Sequence, residues 1–114
     1  MNKITIDGKE YAVAFNVATL LAFERIAEHS FFEENFKNLY ARVILIHAAM
    51  IAAGEQAEID VIINANDWKE MDAAFTTVMN LSLDFFKIPK VLEDIEKKEA
   101  EQVEEEEEEE KKKN

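Results

Sequence analysis

The chain predicts an α+β, mainly α, fold: an N-terminal β-hairpin, then a small helical bundle and a charged C-terminal tail. Three observations carry that expectation. Apolar and polar residues alternate on both sides of Asp7-Gly8, as paired strands require. Beyond Phe15 the apolar residues shift to a spacing of three and four, in stretches preceded by Asn, Ser or Asp residues able to cap a helix. After Ile95 the apolar residues nearly vanish, and residues 97–114 keep only Ala100 and Val103. With 114 residues, 48% of them hydrophobic and eight of them Phe, the chain has enough apolar mass for one core.

Taken in order, Ile4-Thr-Ile6 and Tyr11-Ala-Val13-Ala-Phe15 read as strands, and Asp7-Gly8 suits a turn with positive φ. Asn16 is placed to cap a helix from about Val17 to Glu28, with Leu20, Leu21, Phe23, Ile26 and Ala27 as its apolar face. Ser30 and Glu33 fit a capping box, so a second helix is expected from Phe31, with its body from Phe36 to Ala53 and Gly54 past its end. That helix lacks a polar face from Val43 to Ala53, which in a domain this small gives weight to a homo-oligomer or partner interface. Residues 57–65 admit a strand or a short helix, and the carboxylates Glu58 and Asp60 favour the helix. Asn66 or Asp67 caps the next helix, whose buried stripe is expected to run through Trp68, Met71, Phe75, Val78, Met79, Ser82, Phe85 and Phe86 until Pro89 stops it. The domain is therefore expected over residues 1–92, with an acidic disordered or transiently helical tail over 93–114.

Charge and composition narrow the function. The net charge of -12 is shared equally between residues 1–89 and the 25 residues that follow, so neither part offers the basic patch that nucleic acid or an anionic membrane requires. Cysteine is absent, which removes disulfides, thiolate catalysis and zinc-thiolate sites and suits the cytoplasm. The alternating N-terminus is unlike a signal peptide, and the longest apolar stretch, interrupted by Arg42 and His47, is short of the ~20 residues that span a bilayer.

Catalytic signatures are missing from the sequence. His29 and His47 have no ligand partner at zinc spacing, and His47, in an apolar helix, reads as a satisfied core or interface histidine. Ser30 and Ser82 sit in no nucleophile elbow, and no phosphate-binding glycine loop occurs. Glu33-Glu34 and the Glu55, Glu58, Asp60 group read as solvated carboxylates rather than an acid-base pair or cation site. The expectation is a protein that is not an enzyme, holds no cofactor or metal, and works by binding. Phe31, Phe32, Phe36 and Tyr40 exceed what one helical face needs, which makes them the candidate partner-binding residues beside the plain alternative of core.

The run Ile-Thr-Ile-Asp-Gly-Lys-Glu-Tyr (4–11), Phe15, Leu-Leu-Ala-Phe-Glu-Arg-Ile (20–26), Ser-Phe-Phe-Glu (30–33) and an alanine-rich apolar helix resembles the tail assembly chaperones of long-tailed bacteriophages and prophages. The resemblance spans roughly residues 1 to 90. It implies a small, mainly helical domain that binds the tape measure protein, keeps it soluble while tail tube subunits polymerise around it, and is absent from the finished virion. It also implies a second, longer product made by ribosomal frameshifting, whose added domain recruits the tail tube protein. Lys112-Lys113-Asn114 can be encoded as AAA-AAA-AAC, which contains the slippery heptamer A-AAA-AAC, and the acidic tail would then serve as an extended linker. No binding residue carries over from the family by motif. Two other classes remain open on the residues alone: an acidic protein-binding inhibitor or DNA mimic, and an enzyme with an unrecognised carboxylate site.

Overall fold

A β-hairpin lies against a bundle of helices whose most apolar member runs through the centre. The computed structural model describes residues 2–87. Strands β1 (Asn2–Ile6) and β2 (Lys9–Val13) pair antiparallel with Ile4 opposite Tyr11, joined by the two-residue turn Asp7-Gly8. Both turn residues have positive φ, 50° and 77°, the geometry that matches the twist of paired strands and that glycine adopts without strain. Ile4, Ile6, Tyr11 and Val13 face inward, as the alternation requires.

The hairpin is fastened to the helices by side-chain carboxylates. Glu70 accepts the Asp7 N–H at 2.9 Å and the Gly8 N–H at 3.4 Å, and Asp7 in turn accepts the Asn66 N–H at 2.9 Å. Glu55 accepts the Ala12 N–H at 2.7 Å, and the Ala14 N–H donates to the Ala49 carbonyl at 3.0 Å. These bonds satisfy backbone donors that an isolated two-stranded ribbon would leave to water.

Helix α1 (Val17–Ala27) begins where expected, with Asn16 Oδ1 accepting the Ala18 N–H at 2.9 Å and Thr19 Oγ1 accepting the Asn16 N–H at 3.0 Å. Its inner face holds Leu20, Phe23, Ile26 and Ala27 as expected and departs from the expectation at Leu21. Leu21 is 61% exposed, whereas Thr19, Ala22 and Phe23 are buried, because Thr19 Oγ1 also donates to the Ala14 carbonyl at 2.8 Å and so has every reason to point inward.

The second helix starts later than Ser30 predicts. Ser30 caps only a 3-10 helix, Phe31–Glu33, after which the chain turns through Phe36 at φ 59° and restarts under a second cap, Asn38, as α2 (Leu39–Ala52). The left-handed Phe36 breaks the helix that periodicity joined. At the far end Gly54, at φ 86°, closes a Schellman motif: its N–H reaches the Ile51 carbonyl at 3.0 Å and the Glu55 N–H reaches that of Met50 at 3.0 Å.

Helix α2 is enclosed by its own fold from Val43 to Met50 except at the half-buried His47, which covers most of the stretch whose missing polar face suggests an oligomer. Leu45, Ile46, Ala48, Ala49 and Met50 are fully buried between α1, β2, α3 (Asp60–Ile63) and α4 (Trp68–Phe85), so the missing polar face reflects a central position in the domain. Arg42 is accommodated by donating from Nε to the Phe36 carbonyl at 2.7 Å, with its guanidinium 5.0 Å from the Phe75 ring centroid. α3 is the short helix expected near Asp60. Asp67 caps α4, and Met71, Ala74, Val78 and Ser82 form its buried face. α4 ends at Phe85, and Lys87 takes a left-handed turn at φ 59°. Pro89, the boundary at residue 92 and the acidic tail all lie outside the described residues. No helix among the described residues is long and apolar enough to cross a membrane.

Candidate functional site

All eight phenylalanines join one network of ring contacts, which explains their excess on the sequence. Phe15 after β2, Phe23 on α1, Phe31 and Phe36 on the connecting segment, and Phe75, Phe85 and Phe86 on or just past α4 lie within ring-centroid distances such as 5.5 Å (Phe15 to Phe31) and 5.8 Å (Phe36 to Phe75). Edge-to-face pairs at such separations are favourable beyond the area they bury. Phe36 is therefore core, and Phe31 is half-buried against it. Phe32 alone projects, 71% exposed, with one side of its ring on Phe31 and Phe86.

Tyr40 lies apart from these three. It stands in the first turn of α2 on the rim of an apolar groove of about 550 Å³, formed where the starts of α2 and α4 flank α3. The buried side chains of Val43, Ile62 and Met71 make its floor. Its rim is Leu39, Tyr40, Ile63 and Trp68, which are 48%, 56%, 50% and 59% exposed. Half of the large exposed hydrophobic side chains among the described residues thus border one depression, an arrangement more informative than the same residues scattered. Of the four candidate residues, only Tyr40 lies in it.

Two caps build the groove. Asn38 Oδ1 accepts the Tyr40 N–H at 2.8 Å, and Asp67 Oδ1 accepts the Lys69 N–H at 2.9 Å, fixing where α2 and α4 begin. The residues just inside each cap, Leu39-Tyr40 and Trp68, are left largely uncovered. Helical spacing places Trp68 on a buried stripe and does not single out Leu39 or Ile63. One local signal points to Ile63: Val61, Ile62 and Ile63 are consecutive on a single helical turn, and at 100° per residue all three cannot face one core.

Of the remaining candidate groups, His29, Glu34 and Glu55 have structural partners and His47 does not. His29 Nε2 lies 2.7 Å from a Glu34 carboxylate oxygen, a pair that zinc-spacing arguments overlook. That hydrogen bond raises the His29 pKa above its ordinary value and lowers that of Glu34. His47 is not the satisfied histidine the sequence suggests: it is half-buried, its Nδ1 has no hydrogen-bond partner among the described residues, and burial lowers its pKa against an opposing pull from Glu58. Glu55, which reads as a solvated carboxylate in the sequence, instead holds the Ala12 N–H, and no group of three or more His, Cys, Asp or Glu side chains among the described residues is placed to hold a metal. The groove has no titratable machinery on its floor. What it can do is exclude water from an apolar surface. Protein-family models, curated proteins and solved structures contain no match to this chain.

Proposed function

We propose that this protein is a tail assembly chaperone of a bacteriophage or prophage, which binds the tape measure protein and keeps it soluble while tail tube subunits assemble. The observation that carries the proposal is the groove bordered by Leu39, Tyr40, Ile63 and Trp68. A concave apolar surface with aromatic rims suits an amphipathic helix that lays side chains at i, i+3, i+4 and i+7 into it. A long helical tape measure protein presents such stripes repeatedly, so modest affinity per groove is enough when many copies bind along one chain. The net charge of -12 on each copy would keep the coated polymer dispersed. The order of residues from Ile4 to Glu33 supports the assignment to phage tails.

The test is co-expression of this chain with apolar helical segments of a tape measure protein. The native chain should hold the segments in the soluble fraction as a complex that survives gel filtration. Tyr40→Glu and Trp68→Glu, which put charge on the rim, should release them into the pellet. If the groove variants retain the segments as well as the native chain does, the groove is not the binding surface. If the native chain retains none, the chaperone assignment fails.

A further inference from the structure

Both ring nitrogens of His29 face oxygen acceptors. Nδ1 lies 3.0 Å from the Ala27 carbonyl oxygen and Nε2 lies 2.7 Å from Glu34 Oε2. A neutral imidazole carries one N–H and can donate to only one of them, whereas the imidazolium donates to both. The arrangement therefore fits the charged ring.

Glu34 is engaged at both oxygens, since its Oε1 accepts the Phe36 N–H at 3.2 Å. Phe36 is the residue in the left-handed conformation that an aromatic side chain seldom adopts, so this bond helps hold a strained turn. A single carboxylate thus ties the end of α1 to the point where the chain swings towards α2. Between these points lies the 3-10 helix, whose own hydrogen bonds are short-range: the Glu33 N–H to the Ser30 carbonyl and the Glu34 N–H to that of Phe31, each at 3.1 Å. It carries Phe31, packed on Phe15, Phe23 and Phe86, and the projecting Phe32.

We propose that the His29–Glu34 ion pair is a pH-operated latch, closing residues 30–36 over the phenylalanine cluster while His29 is protonated and releasing them when it is not. The charged groups acting on the ring are Glu34 and, more weakly, Glu33 of the 3-10 helix. From α1 the ring meets the Ala27 carbonyl and, at right angles, the ring of Phe23, neither of which titrates. The raised pKa of His29 makes its contribution complete below the ordinary value of 6.5 and lost as pH climbs through the raised value. The lowered pKa of Glu34 makes its contribution complete above the ordinary 4.5 and lost as pH falls through the lowered value. The latch is fully closed between those two ordinary values and opens on the alkaline side through His29. Linkage ties the size of the effect to the shift: each unit by which closure raises the His29 pKa makes opening about tenfold easier once the ring is neutral.

The test is a pH titration of the full chain by NMR, following the ring protons of His29 and His47 together with amide exchange at Glu33, Glu34 and Phe36, corrected for intrinsic base catalysis. His29 should titrate above 6.5, and protection of the three amides should fall with the same midpoint, by the factor its shift dictates. Amides of the buried Leu45 and Ile46 should keep their protection throughout. Glu34→Gln should lower the His29 midpoint and abolish the pH dependence of the segment. A His29 midpoint at or below 6.5 in the native chain, or protection of the segment that is flat across that midpoint, overturns the latch. Both of those readings come from the native chain, so they decide whether or not the variant folds.

Discussion

Replacing Trp68 with Ala separates binding from folding, because the side chain is divided between the two: 59% of it is exposed on the groove rim and the remainder is covered by the protein. A Trp side chain that becomes fully covered buries ~150–250 Å². The exposed share leaves roughly 90–150 Å² for a bound helix, which at about 25 cal/mol per Å² is worth about 2–4 kcal/mol. Binding to a tape measure segment should therefore weaken by roughly 40- to 500-fold, as measured by titration calorimetry. The packed share is smaller, about 1.5–2.5 kcal/mol by the same conversion, against the ~5–15 kcal/mol typical of a domain. Trp68→Ala should thus remain folded by far-ultraviolet circular dichroism, with a lower urea midpoint. Phe32→Ala is the control, since Phe32 is even more exposed but packs beside Phe86, past the far end of α4 from Trp68. It should leave affinity within about threefold, that is under ~1 kcal/mol. Unchanged affinity in Trp68→Ala, or a larger loss in Phe32→Ala, would refute the groove and move the binding surface to the phenylalanine cluster.

Three further predictions concern the fold. Leu45→Ala should cost about 2–5 kcal/mol by chemical denaturation, whereas Leu21→Ala should change stability by less than ~0.5 kcal/mol, because Leu45 is fully buried and Leu21 stands in solvent; equal losses would show that α1 packs with the face the periodicity suggested. Asn16→Ala should lower stability by about 1 kcal/mol through loss of the α1 cap, read from the urea midpoint at constant m-value. His47→Leu should be neutral or stabilising, by up to about 1 kcal/mol, because it removes a nitrogen with no partner. The lowered pKa of His47 means that its contribution is complete above the ordinary 6.5 and declines as pH falls below it, so the variant should also flatten the acid side of the stability profile between pH 6.5 and the folded value. A steeper acid limb in His47→Leu would contradict that sign.

The sequence by itself determined the pieces whose physics is local. Asp7-Gly8 can reverse a chain only by accepting positive φ, alternation assigns the faces of β1 and β2, and Asn16 and Asp67 start helices because their short oxygens reach the first free N–H groups. Gly54 ends α2 for a similarly local reason. Tertiary structure decided everything that depends on which neighbour occupies a face. Periodicity shows that Leu21 and Trp68 are apolar and lie in helices, but burial requires an opposing element, and neither has a full one. An apolar surface such as that of α2 states only that something must cover it, and its own chain covers the part from Val43 to Met50 apart from His47. Phe31, Phe32, Phe36 and Tyr40 are close in sequence, yet the left-handed turn at Phe36 sends the first three to the phenylalanine cluster and Tyr40 to the groove. Leu39 shares α2 with Tyr40, but the other two rim residues, Ile63 and Trp68, come from α3 and α4, more than twenty residues further along the chain. The physical reason is that strand and helix formation are governed by hydrogen bonds a few residues long, whereas a concave surface exists only once several elements have packed and left a gap between them.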